Sequence, residues 1–164
     1  MNAATCAITT NNQVHCGGDT SSRIHIPYSS CSSASTASEW CPVDLSSYQS
    51  ETPGDVQIGN DEACILMNSG RLLCWGNSPG AGSTSTRYYH NALQQTAYNT
   101  NDRAVKVVLG SFSNCYITEH GNMHCWNGGS SLSPTSNTHS TTNVSLPTGR
   151  TAVDVAINDG NMCV

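Results

Sequence analysis

Charge is what this 164-residue chain has least of: Asp, Glu, Lys and Arg make up 10% of it, against about a quarter in an ordinary globular domain. The six cations (Arg23, Arg71, Arg87, Arg103, Lys106 and Arg150) are scattered and the net charge is -5, so no basic stripe exists to meet nucleic acid or an anionic membrane. Aromatic residues are scarce at 6%, with a single Phe, and apolar residues reach 37%, which leaves a thin core. No apolar run approaches the roughly 18 residues of a membrane-spanning helix. Cys-x-x-Cys is absent, which removes thioredoxin-like and zinc-ribbon readings. The opening Met1-Asn2-Ala3-Ala4-Thr5-Cys6 lacks a charged segment followed by an apolar one, so no uncleaved signal peptide is expected there. Intrinsic disorder usually accompanies high charge, and a chain of this length can bury one real core, so a folded domain is expected.

Cysteine is what the chain has in excess. Nine are present: Cys6/Cys16, Cys31/Cys41, Cys64/Cys74 and Cys115/Cys125, each pair ten positions apart, with Cys163 left over. Ten is not a usual structural-zinc spacing, so four disulfides and an oxidising compartment are expected. The lone Cys163 implies either a partner beyond Val164 or an intermolecular bond. The missing signal then means that it was removed or that the chain begins within a longer precursor.

Three of the pairs open aligned repeats. First cysteines at 6, 64, 115 and 163 give steps of 58, 51 and 48 residues, periods that suit propeller blades. Upstream, Val56, Val107 and Val155 align, as do Ile58, Leu109 and Ile157; this alternation predicts leader strands over 55–58, 105–109 and 153–157. If the paired cysteines face each other, three-residue loops fall at 10–12, 68–70 and 119–121. Such loops need a left-handed residue at their third position, where Asn12, Gly70 and Gly121 stand. Opposed strand residues lie within disulfide reach, and closing each eleven-residue loop contributes about 2.7 kcal/mol on chain-entropy grounds. The segment 31–41 has no Gly or Asn at its turn, so it reads as an insertion tied by its own disulfide. The outer strands of each blade are expected within 77–103 and 127–151, and no helix is expected. The first hairpin has no leader strand of its own.

These residues resemble the repeat of the regulator of chromosome condensation family, through Cys6-Ala7-Ile8, Gly70 and Gly121, Cys74-Trp75-Gly76 and Cys125-Trp126-Asn127. Cysteine at both hairpin positions is closest to a secreted, disulfide-bearing branch. The resemblance implies an all-β, antiparallel β-propeller architecture with about 50 residues per four-stranded blade. On it the chain divides into blade 1 at about 1–54 (with the disulfide loop 31–41), blade 2 at 55–103, blade 3 at 104–151 and a partial blade at 152–164. Three blades and a fraction do not close a ring, so the chain is expected to belong to a longer polypeptide or a multi-chain assembly. The sequence departs from the family after the tryptophans, at Asn77-Ser78-Pro79 and Gly128-Gly129-Ser130, and after Cys16, at Gly17-Gly18-Asp19.

Catalytic and metal chemistry find no support. His15 and His124 precede second cysteines and so face away from the sulfur, while His25, His90, His120 and His139 fall in loops or turns without supporting carboxylates. Asn158-Asp159-Gly160-Asn161 lacks the alternating carboxylates of a calcium loop, and neither Gly17-Gly18 nor Gly128-Gly129 leads into a phosphate-binding Lys. No catalytic, cofactor or metal residue is therefore assigned. Trp75 and Trp126 are expected in the core. The candidate binding surface is Trp40 with the tyrosine-rich Arg87, Tyr88, Tyr89 and Tyr98. Asn143-Val144-Ser145 is an N-glycosylation acceptor motif. The expected role is a non-catalytic extracellular or cell-surface module that binds a protein partner or copies of itself; the alternative is a soluble propeller that binds or inhibits a partner through its loops.

Overall fold

A computed structural model of the chain describes residues 4–18, 40–60, 62–77, 89–97, 99–111, 113–126, 142–158 and 161–164. Its strands form four antiparallel sheets, each in sequential order. The first holds β1 (Ala4–Ile8), β2 (Val14–Gly18) and β3 (Cys41–Pro42). The second holds β4 (Pro53–Ile58), β5 (Glu62–Met67), β6 (Leu72–Asn77) and β7 (Tyr89–Ala97). The third holds β8 (Ala104–Leu109), β9 (Asn114–Thr118), β10 (Met123–Trp126) and β11 (Thr142–Asn143), and the fourth β12 (Ala156–Asn158) and β13 (Asn161–Cys163). One 3-10 turn at Ser46–Tyr48 interrupts the strands.

The hairpins have the register that the cysteines demand. Cys6 lies opposite Cys16, Cys64 opposite Cys74 and Cys115 opposite Cys125. The last backbone pairs are closed by Thr9, Met67 and Thr118, whose N–H groups donate to Gln13, Arg71 and Asn122 at 2.8, 2.8 and 2.9 Å. The three-residue loops that remain end on Asn12, Gly70 and Gly121, at φ 61°, 82° and 75°. Counting back from the closing pair, the ladder's alternation puts each cysteine pair at a non-hydrogen-bonded position, where Cα atoms approach most closely. Disulfides join all three pairs, each across a Cα separation of 4.1 Å.

Each hairpin has a sulfur face and an opposite face, because side chains alternate along a strand. All six residues of β5 and all five of β9 are buried, so both faces of those sheets are covered. What covers them is the neighbouring repeat. The sulfur face of the first sheet, with Cys6, Val14 and Cys16, packs on the opposite face of the second, with Ala63, Ile65, Leu73 and Trp75. The second sheet's Cys64, Leu66, Leu72 and Cys74 meet Ala104, Val107, Tyr116 and Trp126 of the third. The third's Cys115, Ile117, Met123 and Cys125 meet Ala152, Val155, Ile157 and Met162, with Cys115 Sγ 3.7 Å from Met162 Sδ. A disulfide thus fills the contact between successive repeats besides stapling its own hairpin. Gly110 marks how close these repeats come: a Cβ there would sit 2.5 Å from Ile157 Cγ2.

Two expectations change. The last leader pairs over Ala156–Asn158, where 153–157 was expected. The end of the segment 31–41 is part of the blade: Cys41 lies opposite Cys16, and Val43 N–H donates to Val14 C=O at 2.8 Å, so this end supplies the third strand of the first sheet. That sheet has three strands among the described residues.

Candidate interaction surface

In the second and third repeats the hairpin is held down by an acid five residues before the leader valine. In the second repeat Glu51 takes a hydrogen bond from the Ser69 hydroxyl and pairs with Arg71 Nε at 2.7 Å. Arg71 also lies over the Tyr48 ring, 5.6 Å from its centroid. In the third repeat Asp102 stands in the same place and the same two loop positions, now His120 and Asn122, donate to it. His120 contributes its backbone N–H at 3.2 Å and its Nδ1 at 2.9 Å, and Asn122 its Nδ2 at 2.7 Å. Burial works to raise the Asp102 carboxyl, but hydrogen bonds from Asn122, Thr118 and His120 outweigh it and hold the group far below the usual carboxylate range. Sequence reading missed these acids, although the recurrence of Glu51 and Asp102 ahead of Val56 and Val107 was visible in the alignment.

Ion pairs also link repeats. Lys106 of β8 pairs with Asp154, ahead of β12, and that contact holds the Asp154 carboxyl low. Beside them Val105 and Val153, which occupy equivalent positions, are 54% and 89% exposed. Val105 sits at the register shift between Ala104 and Lys106, and a bulged residue has no cross-strand partner to cover it.

The predicted site residues separate into three groups. Trp75 and Trp126 are fully buried, as expected for core. Trp40 is 51% exposed, immediately before Cys41 at the outer edge of the first sheet. Tyr89 opens β7, the outer strand of the second sheet, but its side chain, with Arg87, Tyr88 and Tyr98, lies outside the described residues. Cys31 lies outside them too, whereas Cys41 is disulfide-bonded and Cys163 is a free, exposed thiol. His124 stacks on Tyr116 at 4.8 Å, and burial lowers its pKa while the Asp102 charge pulls the other way. Among the described residues no three His, Cys, Asp or Glu side chains group to hold a metal ion, and no helix is long and apolar enough to cross a membrane.

No protein-family profile and no curated protein matches the chain. Solved structures do match. The architecture is similar to human WBSCR16, with a TM-score of 0.78 at 14% identity over 97% of this chain, and to Prp20p from Saccharomyces cerevisiae, with 0.61 at 12% over 77%. The same yeast protein, RCC1 (Prp20), bound to Kap60 gives 0.61 at 13% over 78%. The fold is of the regulator of chromosome condensation type. The chain spans 41% of the length of WBSCR16 and 30% of that of Prp20p. At these identities the likeness concerns fold alone. The three disulfides are consistent with extracellular exposure.

Proposed function

We propose that this chain is a non-catalytic, extracellular or cell-surface interaction module whose repeats add head to tail to those of further copies. The observation that carries the reading is the directional stacking of repeats, sulfur face on opposite face, three times in succession. A contact made by one rule at every step extends between copies as readily as within one, and a heterologous contact of that kind produces rings or filaments. In the fourth repeat Cys163, which ends β13, and Val164 after it are exposed. At the other end, Thr5 and Ala7 are exposed on the opposite face of the first sheet, where Gly17 replaces the tryptophan of later repeats. Sedimentation velocity across a concentration series tests the reading. The expected result is a weight-average mass that rises with concentration, persists in Cys163→Ser and falls in Ala7→Lys or Val164→Asp. A monomer at every concentration rejects self-assembly.

A second reading, a soluble propeller that binds or inhibits a partner through its loops, draws on the solved relatives: Prp20p has binding properties to Gsp1p and histones, and yeast RCC1 was solved with Kap60 bound. It predicts a monomer whose partner is lost when the loop residues around Glu51 or Asp102 are changed. Neither reading assigns catalysis, a cofactor or a membrane-inserted segment.

A further inference from the structure

The Asn143-Val144-Ser145 motif is the single Asn-x-Ser/Thr triplet in the sequence, and its middle residue is not proline. Its geometry is that of an accessible acceptor. Asn143 ends β11, the outer edge strand of the third sheet, opposite His124 on β10. Val144 turns inward: its side chain packs against the Cys115–Cys125 cluster, and its N–H donates to Met123 C=O at 2.8 Å. Strand alternation puts Asn143 on the other face, that of His124, and both Asn143 and Ser145 are exposed. No hydrogen bond engages the Asn143 side chain among the described residues. The chain thus fixes the centre of the triplet while leaving the acceptor amide and the hydroxyl free to enter a transferase.

We propose that Asn143 is an N-glycosylation site when the chain passes through a eukaryotic secretory compartment. This rests on the reading of the cysteines as disulfides formed in such an oxidising compartment. In the transfer, Asn143 Nδ2 bonds to the anomeric carbon of an oligosaccharide carried on a lipid diphosphate. The bond from that carbon to the diphosphate oxygen breaks, the diphosphate leaves with the electron pair, and one amide proton passes to the transferase. A glycan there covers the edge of the third sheet formed by β11, at the margin of the face that carries His124, Tyr116 and Trp126, and removes that edge from strand addition by other chains.

The test is secretion of the full chain, fused to a cleavable signal sequence, from cultured eukaryotic cells. Intact mass is read before and after peptide N-glycosidase, with a non-reducing peptide map for the disulfides. The expected result is a glycan mass removed by the enzyme, mapped to Asn143, and lost in both Asn143→Gln and Ser145→Ala. The second variant keeps Asn143 in place, so its loss of modification reports recognition of the triplet and not misfolding. Secreted chain with Cys64–Cys74 and Cys115–Cys125 formed but with the mass of the bare polypeptide overturns the site while sparing the compartment reading. Chain retained with those cysteines reduced overturns the compartment reading and the site with it.

Discussion

Trp75 and Trp126 hold the same place in successive repeats, one residue after the second cysteine, and both are fully buried against the sulfur face of the preceding sheet. Their indole nitrogens fare differently. Trp126 Nε1 donates to Glu62 Oε2 at 3.2 Å, whereas Trp75 Nε1 is buried without a hydrogen-bond partner among the described residues. The cause lies one repeat upstream, two residues before the first cysteine: Glu62 fills that position for Trp126, and Ala4 fills it for Trp75. Apolar and sulfur positions are copied from repeat to repeat because every blade contact needs them. The polar completion of a contact is not copied, and a buried donor left unpaired costs about 1–3 kcal/mol.

The comparison breaks most forcefully at the tryptophans themselves. Trp126→Ala is expected to lower unfolding free energy by about 3–5 kcal/mol in a urea titration under non-reducing conditions. Trp75→Ala should cost about 1 kcal/mol less, since it opens a similar cavity without breaking a hydrogen bond. Equal losses would mean that the Glu62 contact contributes nothing. Glu62→Ala comes next, at about 1–3 kcal/mol, because it leaves Trp126 in the condition of Trp75; Glu62→Gln, which keeps an acceptor, should recover part of the loss. The reverse experiment is Ala4→Glu, expected to gain about 1 kcal/mol by supplying Trp75 with the acceptor that it lacks. That gain must vanish when combined with Trp75→Phe, since the coupling exists only while the indole N–H does.

What was legible beforehand follows the same division. Hairpin positions, loop lengths, the left-handed residues Asn12, Gly70 and Gly121 and the three disulfides could be read because each is fixed by local geometry acting over eleven residues. The leader strands β4 and β8 were legible from valines, isoleucine and leucine that recur at period two, and the last leader pairs over Ala156–Asn158. The joining of Cys41 to the first sheet was not, since Cys16 and Cys41 meet across a segment whose turn carries no recognisable chemistry. The same holds for the bond between Glu62 and Trp126, which spans 64 residues and two sheets and depends on how repeats stack. Of the candidate binding surface, Trp40 is exposed at the outer edge of the first sheet, and Arg87, Tyr88 and Tyr98 lie outside the described residues.

The smallest effect sharpens the comparison at the loops, where both repeats are satisfied but by different chemistry. Glu51 faces the guanidinium of Arg71, while Asp102 is held by Asn122 and by His120. The Asp102 carboxyl is depressed in the folded chain below the value of about 3.9 expected unfolded, so its stabilisation is complete above that pH and is lost as pH falls through the folded value. Partial exposure and salt screening keep the contribution below that of the buried Glu62 bond. Asp102→Asn should therefore lower the thermal midpoint by a constant amount from neutral pH down to about pH 5, and the gap from the parent chain should close as acid protonates the parent's carboxylate. His120→Ala should preserve most of that pH dependence, because the Asn122 amide still donates. A gap between parent and Asp102→Asn that stays unchanged into strong acid would show that the loop is held by side-chain shape and not by the ionised carboxylate.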